Sequence, residues 1–414
     1  MKIGQQSIKV TTIALLVGAI LFQFAVFGNC LAQSFSFSGK QKKNAMDFEM
    51  VKNLSIIPLT INGKGPYNFI LDTGVGPLII TEPTMVDTLG LKVLRNTKIY
   101  GLGKGEEVEA FLSSEINVDI KDASIKHIPT AILKKDIFNL SNYLGVKIHG
   151  IIGYYFFNSF VVKINYSTKR LVFLDPNTNP LKKGAKFPIE LINNRPYVLA
   201  DLILDNKAKH TVKLLLDCGA SHALSMQALD EKPFPLPDST IVANLGVGLN
   251  GLIDGHIGRI AMFNFGKYHF KNMLSGFPAF ESVAAKTGYK MQDGNLGAEF
   301  LRRFNVTYDY LQNNIYLKPN NYYKEPFDYD MSGIETYIEN DRYFIGRIEP
   351  GSPAAKAGIL ENDELLSLNL KPIEQYSLDD ISKFFKSYDS KTVIIELARN
   401  DKLVVKLLKL KRRI

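Results

Sequence analysis

The chain has no tryptophan, and only two cysteines and six histidines among its 414 residues. Each scarcity removes a class of chemistry. The histidines are scattered and none falls in an HExxH or similar spacing, so no zinc site is called for. The glycine-rich GLGKG at 101–105 lacks both the spacing and the following helix of a phosphate loop. No stretch beyond the N-terminal segment reaches the roughly 18 uninterrupted apolar residues of a membrane span. No nucleic-acid-binding module is present, although the formal net charge is +9. Much of that charge sits in KLVVKLLKLKRRI at the C-terminus, where alternating apolar and basic residues suit a strand with one solvated face. Contact of this strand with an acidic membrane surface is the alternative. No cofactor is implied by any motif.

The N-terminus reads as a targeting segment. Lys2 and Lys9 precede an apolar run from Ile13 to Phe27, and Cys30-Leu31-Ala32 places small residues before Gln33. Residues 1–32 are therefore expected to be a signal peptide, cleaved after Ala32, and the protein to be exported to the periplasm or cell envelope. An uncleaved anchor and lipidation at Cys30 are the alternatives. Loss of the segment would remove Cys30 and leave Cys218 with no internal disulfide partner. It would also lower the net charge from +9 to +7. Such a chain must rest on its hydrophobic cores, for which a 46% hydrophobic composition is ample.

The sequence also repeats itself. GPYNFILDTGVGPLIIT contains Asp72-Thr73-Gly74, and KHTVKLLLDCGASHALSM contains Asp217-Cys218-Gly219, with the aspartates 145 residues apart. HGIIGYYFFNSFVVKINYSTKRLVFL, from His149, is echoed by DGNLGAEFLRRFNVTYDYLQNNIYLK, from Asp293. Gly101 in GLGKG and Gly246 in LGVG keep the same register. A period this long indicates a duplicated domain and not a solenoid. Both copies consist of short Val, Ile, Leu, Phe and Tyr runs broken by Gly, Asn, Asp and Pro, which predicts mainly β structure. Short helices are expected at PTMVDTLGL and SMQALDE.

Aspartate is a poor strand residue, yet here it twice ends an apolar strand. If the two loops meet, the carboxylates cannot both ionise and must share a proton. One then acts as a general base on water while the other polarises a carbonyl. Gly74 and Gly219 suit sharp turns at unusual dihedrals, and the Thr73 hydroxyl can bond across to the other loop. Tyr100, Gly101 and Gly103 mark a candidate flap over a bound peptide. The second glycine turn, LGVGLNGLIDG, looks less like a hairpin tip, so the first is expected to supply the working flap. Ser221-His222 beside Asp217 does not make a nucleophile triad, because adjacent strand residues point to opposite faces.

Asp-Thr-Gly after an aliphatic strand, a glycine-rich turn, then Ile151-Ile152-Gly153 and, in the second copy, Asn295-Leu296-Gly297, together resemble the aspartic peptidases. The lobes look like the compact retropepsin type, arranged in tandem on the single-chain plan of pepsin, over about residues 46–320. The resemblance implies two β-barrel lobes of the acid-protease fold, at 33–183 and 184–322. It also implies a catalytic dyad of Asp72 and Asp217 supplied by one chain, and a monomer. Cys218 departs from the usual Thr or Ser, which would leave the bond between the loops one-sided. Asn295 replaces an aliphatic residue and reads as a further erosion of the second lobe. The segment 33–50 is either a first strand or an activation peptide.

From about residue 330 the texture changes. Pro350-Gly351-Ser352-Pro353-Ala354-Ala355, then Ala357-Gly358-Ile359, then Asn362-Asp363-Glu364-Leu365-Leu366, resemble a bacterial PDZ domain over 330–414, an α+β unit. YSLDDISKFFKSY is an amphipathic helix with Ser377 as its N-cap, and a closing hairpin turns at Asn400-Asp401. PDZ domains add a peptide strand to a sheet edge and capture a terminal carboxylate, and Tyr343, Phe344, Ile345 and Gly346 are expected to do so here. The function implied is an exported aspartic endopeptidase acting on peptide or protein, with PDZ-mediated recognition. The alternative is a weakened protease scaffold that serves as a peptide-binding envelope protein.

Overall fold

Seven strands are wound in the same order in each half of the protease-like region. The computed structural model describes residues 33–92, 94–99, 107–204, 207–230, 232–248, 251–279, 292–387 and 389–414. In the first half the sheet runs Leu54–Ile61, Lys64–Leu71, Gly150–Ile152, Leu78–Ile80, Thr130–Leu133, Val108–Ser113, Arg95–Ile99. In the second it runs Arg195–Ile203, Lys209–Asp217, Gly294–Gly297, Leu224–Met226, Tyr268–Pro278, Gly251–Phe265, Thr240–Gly248. The two orders correspond strand for strand.

A six-stranded sheet joins the halves, in the order Ala185–Pro188, Asn314–Pro319, Phe304–Asp309, Val161–Asn165, Arg170–Leu174, Lys43–Asp47. Its centre is the antiparallel pair Val162↔Tyr308 and Ile164↔Val306, one strand from each half. Phe156, Phe157, Tyr166, Phe173, Tyr308 and Phe304 are fully buried around it, so phenylalanine and tyrosine do the packing that tryptophan does elsewhere. The segment 33–50 is woven into the fold: Lys43–Asp47 pairs with Arg170–Leu174, and Phe35 is buried.

A short helix forms at Met85–Leu89 as expected, stopped by Gly90 in the left-handed region. The described residues of SMQALDE, 225–230, do not form one. Leu224–Met226 is a strand and Ala228–Leu229 another, because Leu224 and Ser225 pair with both Leu296/Asn295 and Ser275/Gly276. Tertiary pairing overrides the local preference.

The C-terminal sheet has its own core of Ile345, Leu365, Leu368, Ile381, Phe385, Ile395 and Leu397. Ser377 caps the helix Leu378–Ser387 through Asp380 N–H at 3.1 Å, and Asp380 bonds back to Ser377. The closing hairpin turns through Asn400 and Asp401, both at positive φ. The connection to this domain is fixed. Arg303, fully buried, donates to Tyr322 O at 3.2 Å, to Pro326 O at 3.1 Å and to Glu325 O, and lies over the Phe327 ring.

Candidate active site

Each candidate aspartate stands where a central strand leaves its sheet. Lys64–Leu71 and Lys209–Asp217 run parallel to Gly150–Ile152 and Gly294–Gly297 respectively, so each chain end passes close to a neighbouring strand. Gly153 and Gly297 make that possible: a Cβ on either would sit 2.1 Å from a carbonyl oxygen, of Asp72 or His222.

The two loops meet. A Cβ on Gly219 would lie 2.1 Å from Asp72 Cγ, and one on Gly74 would lie 3.2 Å from Asp217 Oδ1. Gly219 is therefore required for space, and a side chain on Gly74 would be tight against both carboxylates. Neither glycine is at positive φ, which corrects the expectation of unusual dihedrals. Their amides hold the carboxylates: Gly74 N–H donates to Asp72 Oδ1 at 2.6 Å and Gly219 N–H to Asp217 Oδ1 at 3.1 Å.

The bond between the loops closes from both sides. Thr73 Oγ1 donates to Leu216 O at 2.6 Å and accepts from Cys218 N–H at 3.0 Å. Cys218 Sγ returns a bond to Leu71 O at 3.3 Å. Burial pushes the Cys218 thiol up, so it stays a neutral donor. The expected one-sidedness is thus corrected: sulfur's longer reach lets the thiol span the gap.

Asn295 is the residue the sequence undervalued. Its Nδ2 donates to Asp217 Oδ2 at 3.0 Å, while its Oδ1 accepts from Gln292 at 2.8 Å and Gln227 at 3.2 Å. All three amides are buried. The glutamines fix which end of Asn295 faces Asp217. Ile151 holds the matching place beside Asp72. The two carboxylates consequently differ. Burial, then the charge of Asp217, raises Asp72 well above the ordinary carboxylate value; the Gly74 amide and Arg195 oppose this more weakly. Asp72 is therefore the member favoured in its protonated form, while Asp217 carries the amide donor. His222 lies beside them, and burial keeps its imidazole below its ordinary pKa and neutral.

The dyad lies in a cavity of about 1220 Å³, larger than the usual small-molecule pocket and of a size for a polypeptide segment. Its walls come from both halves and from the C-terminal domain. Tyr100, Gly101 and Gly103 fall outside the described residues. The second-half turn does form a hairpin, Thr240–Gly248 with Gly251–Phe265, and Asn244, Leu245 and Gly246 line the cavity. This hairpin is a wall of the cleft, contrary to its unpromising sequence. It is pinned by a matched set of contacts: Asn244 and Asp254 are cross-strand partners, as are Glu335 and Arg347. Asn244 Nδ2 donates to Glu335 Oε2 at 2.8 Å, and Arg347 Nη2 to Asp254 Oδ1 at 2.7 Å.

A two-residue turn ties all parts together. Lys52 and Asn53, both at positive φ, carry Glu49–Val51 into Leu54–Ile61. Lys52 N–H donates to Asp379 Oδ1 at 2.8 Å, and Asn53 Nδ2 donates to Ser221 O at 2.9 Å, next to the dyad loop. The Lys52 ammonium stands 3.4 Å above the Tyr143 ring, and burial lowers its pKa to about 8 against the pull of Glu335 and Asp379.

Tyr343, Phe344, Ile345 and Gly346 do not form an open peptide edge. Their strand, Arg342–Ile348, is paired on one side with Ile334–Glu339 and on the other with Glu364–Leu368. Ile345 is fully buried, and Phe344 stacks on Tyr337. The outer strands of this sheet are Ile334–Glu339 and Lys402–Lys409, and it is Ile334–Glu339 that borders the cavity.

Comparison with known families agrees with this geometry. Residues 57–156 match the family described as Aspartyl protease, and residues 344–399 match the PDZ domain. The chain carries an aspartyl protease-like domain and a PDZ domain. No curated protein matches it. The protease match covers the first lobe, with Asp72, Thr73 and Gly74 inside it. Among the described residues no helix is long and apolar enough to cross a membrane.

Proposed function

We propose that the protein is an aspartic endopeptidase built from two duplicated lobes, 33–183 and 184–322, whose dyad is Asp72 and Asp217. The observation that carries this reading is the asymmetric pair of carboxylates, locked together through Thr73 and Cys218 at the floor of a large cavity. Asp217, ionised and held by Asn295, takes a proton from a bound water. The water attacks the peptide carbonyl while Asp72 donates its proton to the carbonyl oxygen. The proton on Asp217 then passes to the amine as the C–N bond breaks, and a hydroxyl of the collapsing gem-diol returns its proton to Asp72, which leaves a carboxylic acid and restores the pair. The closed lock supports an active enzyme over the reading of a weakened, purely binding scaffold. The pattern of residues 1–32 supports export.

The test is incubation of the chain from residue 33 onward with a mixed peptide library between about pH 3 and pH 8, beside its Asp72→Asn and Asp217→Asn variants. Products from the unmutated protein alone support the reading. Equal products from all three sink it.

A further inference from the structure

This inference rests on the reading above and names the kind of polypeptide that the same cavity takes. The PDZ edge strand, Ile334–Glu339, has no strand on its outer side among the described residues. Its beginning, Gly333 to Thr336, lines the dyad cavity together with Leu378 and Ile381 of the facing helix. Its end is covered by the first lobe, where Ile338 packs against Gly145 and Asn142 Nδ2 donates to Glu339 at 3.4 Å. An extended chain added to the open part of this edge lies in the space that holds Asp72 and Asp217.

Edge addition comes in two forms: the added strand is internal, or it ends there with its carboxylate held in a nest of successive backbone N–H groups. The second form needs free amides in the loop that precedes the strand. Here they are committed within the chain. Ser332 N–H and Gly333 N–H both donate to Asp330 Oδ1, at 2.8 and 2.5 Å. The Ser332 hydroxyl donates to the same oxygen at 2.7 Å, and Ile334 N–H donates to that hydroxyl at 3.0 Å. A carboxylate already occupies the nest, and it belongs to this protein. A second one would meet its charge, with Glu349 also near.

We propose that the PDZ edge takes an internal, extended stretch of the substrate rather than its C-terminal carboxylate, and that this stretch continues into the dyad cavity. The substrate class is then extended or unfolded polypeptide, read without reference to its end.

The test uses the full chain carrying Asp72→Asn, so that bound peptide survives. The probe is a mixed-sequence dodecapeptide library made twice, with free C-terminal carboxylates and with C-terminal amides. Retention is read by affinity selection and mass spectrometry. The expected acid-to-amide retention ratio is within about twofold of one, while Asp330→Ala, which empties the nest, raises it about tenfold, as charged hydrogen bonds warrant. Asp330→Asn keeps an acceptor in the nest and should leave the ratio unchanged, which guards against misfolding of the alanine variant. Ser382→Arg, which crowds the groove wall, is expected to cut retention of both libraries at least about fivefold. A tenfold preference for free acids with Asp330 intact overturns the proposal. So does retention of neither library, or retention indifferent to Ser382→Arg. Peptide binding of the expected kind, with no cleavage by the unmutated dyad, would refute the enzyme reading and leave this one standing.

Discussion

Asn295 Nδ2 donates to Asp217 Oδ2 at 3.0 Å, and Ile151 occupies the matching position beside Asp72. The two lobes share a strand order but not a dyad environment. This single exchange of an apolar for an amide side chain gives Asp217 a donor that Asp72 lacks.

Replacing Asn295 with leucine should therefore lower kcat about tenfold or more, the worth of a hydrogen bond to a charged group, with little change in KM. Steady-state cleavage of a fixed peptide by the two proteins checks both. An unchanged kcat would reduce Asn295 to a packing role.

Asp72 imposes a pH-dependent load on folding. Its folded pKa is raised above its unfolded value, so the folded state holds a proton that the unfolded state releases. The stability this contributes is fully present below the unfolded carboxylate value and is lost as pH rises through the folded one. Asp72→Asn should thus be more stable than the unmutated protein at pH 7, with the gap closing towards about pH 4. Paired denaturant titrations at several pH values test it. The same variant should abolish cleavage, so that stability rises where function is lost.

Much of this was legible in the residues, and the failures have a common cause. Asp72 and Asp217 were evident because the motif that carries them is local and repeated. The value of Asn295 was not, since its partners Gln227 and Gln292 are distant in sequence or outside the motif. The PDZ edge was misplaced by one strand for a similar reason. Tyr343 to Gly346 form an apolar run next to the recognisable Pro-Gly turn, but an edge is defined by what pairs with it. Ile334–Glu339, with its two glutamates and its tyrosine, carries no such signature. The helix expected near Met226 failed because strand pairing with Asn295 and Gly294 outweighs local propensity.

Cys218 should behave as a buried thiol that can be exchanged for a hydroxyl. Cys218→Ala removes the donor to Leu71 O and should cost about 1 kcal/mol. Cys218→Ser should recover part of it, and Cys218→Thr should recover activity if the added methyl is accommodated. In the native protein the thiol should resist iodoacetamide and react only on unfolding, because it is buried and neutral. Thermal melts and mass-detected alkylation measure these effects.

The hairpin Thr240–Gly248/Gly251–Phe265 should loosen when its hold on the PDZ sheet is cut. Arg347→Ala removes the ion pair to Asp254, whose partners are both partly exposed, so the effect on global stability should stay below about 1 kcal/mol. Hydrogen exchange should nevertheless rise within residues 240–265, and KM for peptide should increase about threefold or more. Unchanged exchange in that segment would mean that the hairpin stands without the PDZ domain.

The central pairing of Val161–Asn165 with Phe304–Asp309 has a consequence for how the chain is made. A ribosome adds roughly 5–20 residues each second. The earlier strand, rich in valine and isoleucine, is therefore complete on the order of ten seconds before its partner exists. During that interval the nascent first half presents an unfilled apolar strand edge, the feature that templates unwanted pairing between neighbouring chains. Synthesis order, more than final stability, is where this architecture is exposed to failure, and a slowed ribosome between residues 165 and 304 lengthens that exposure.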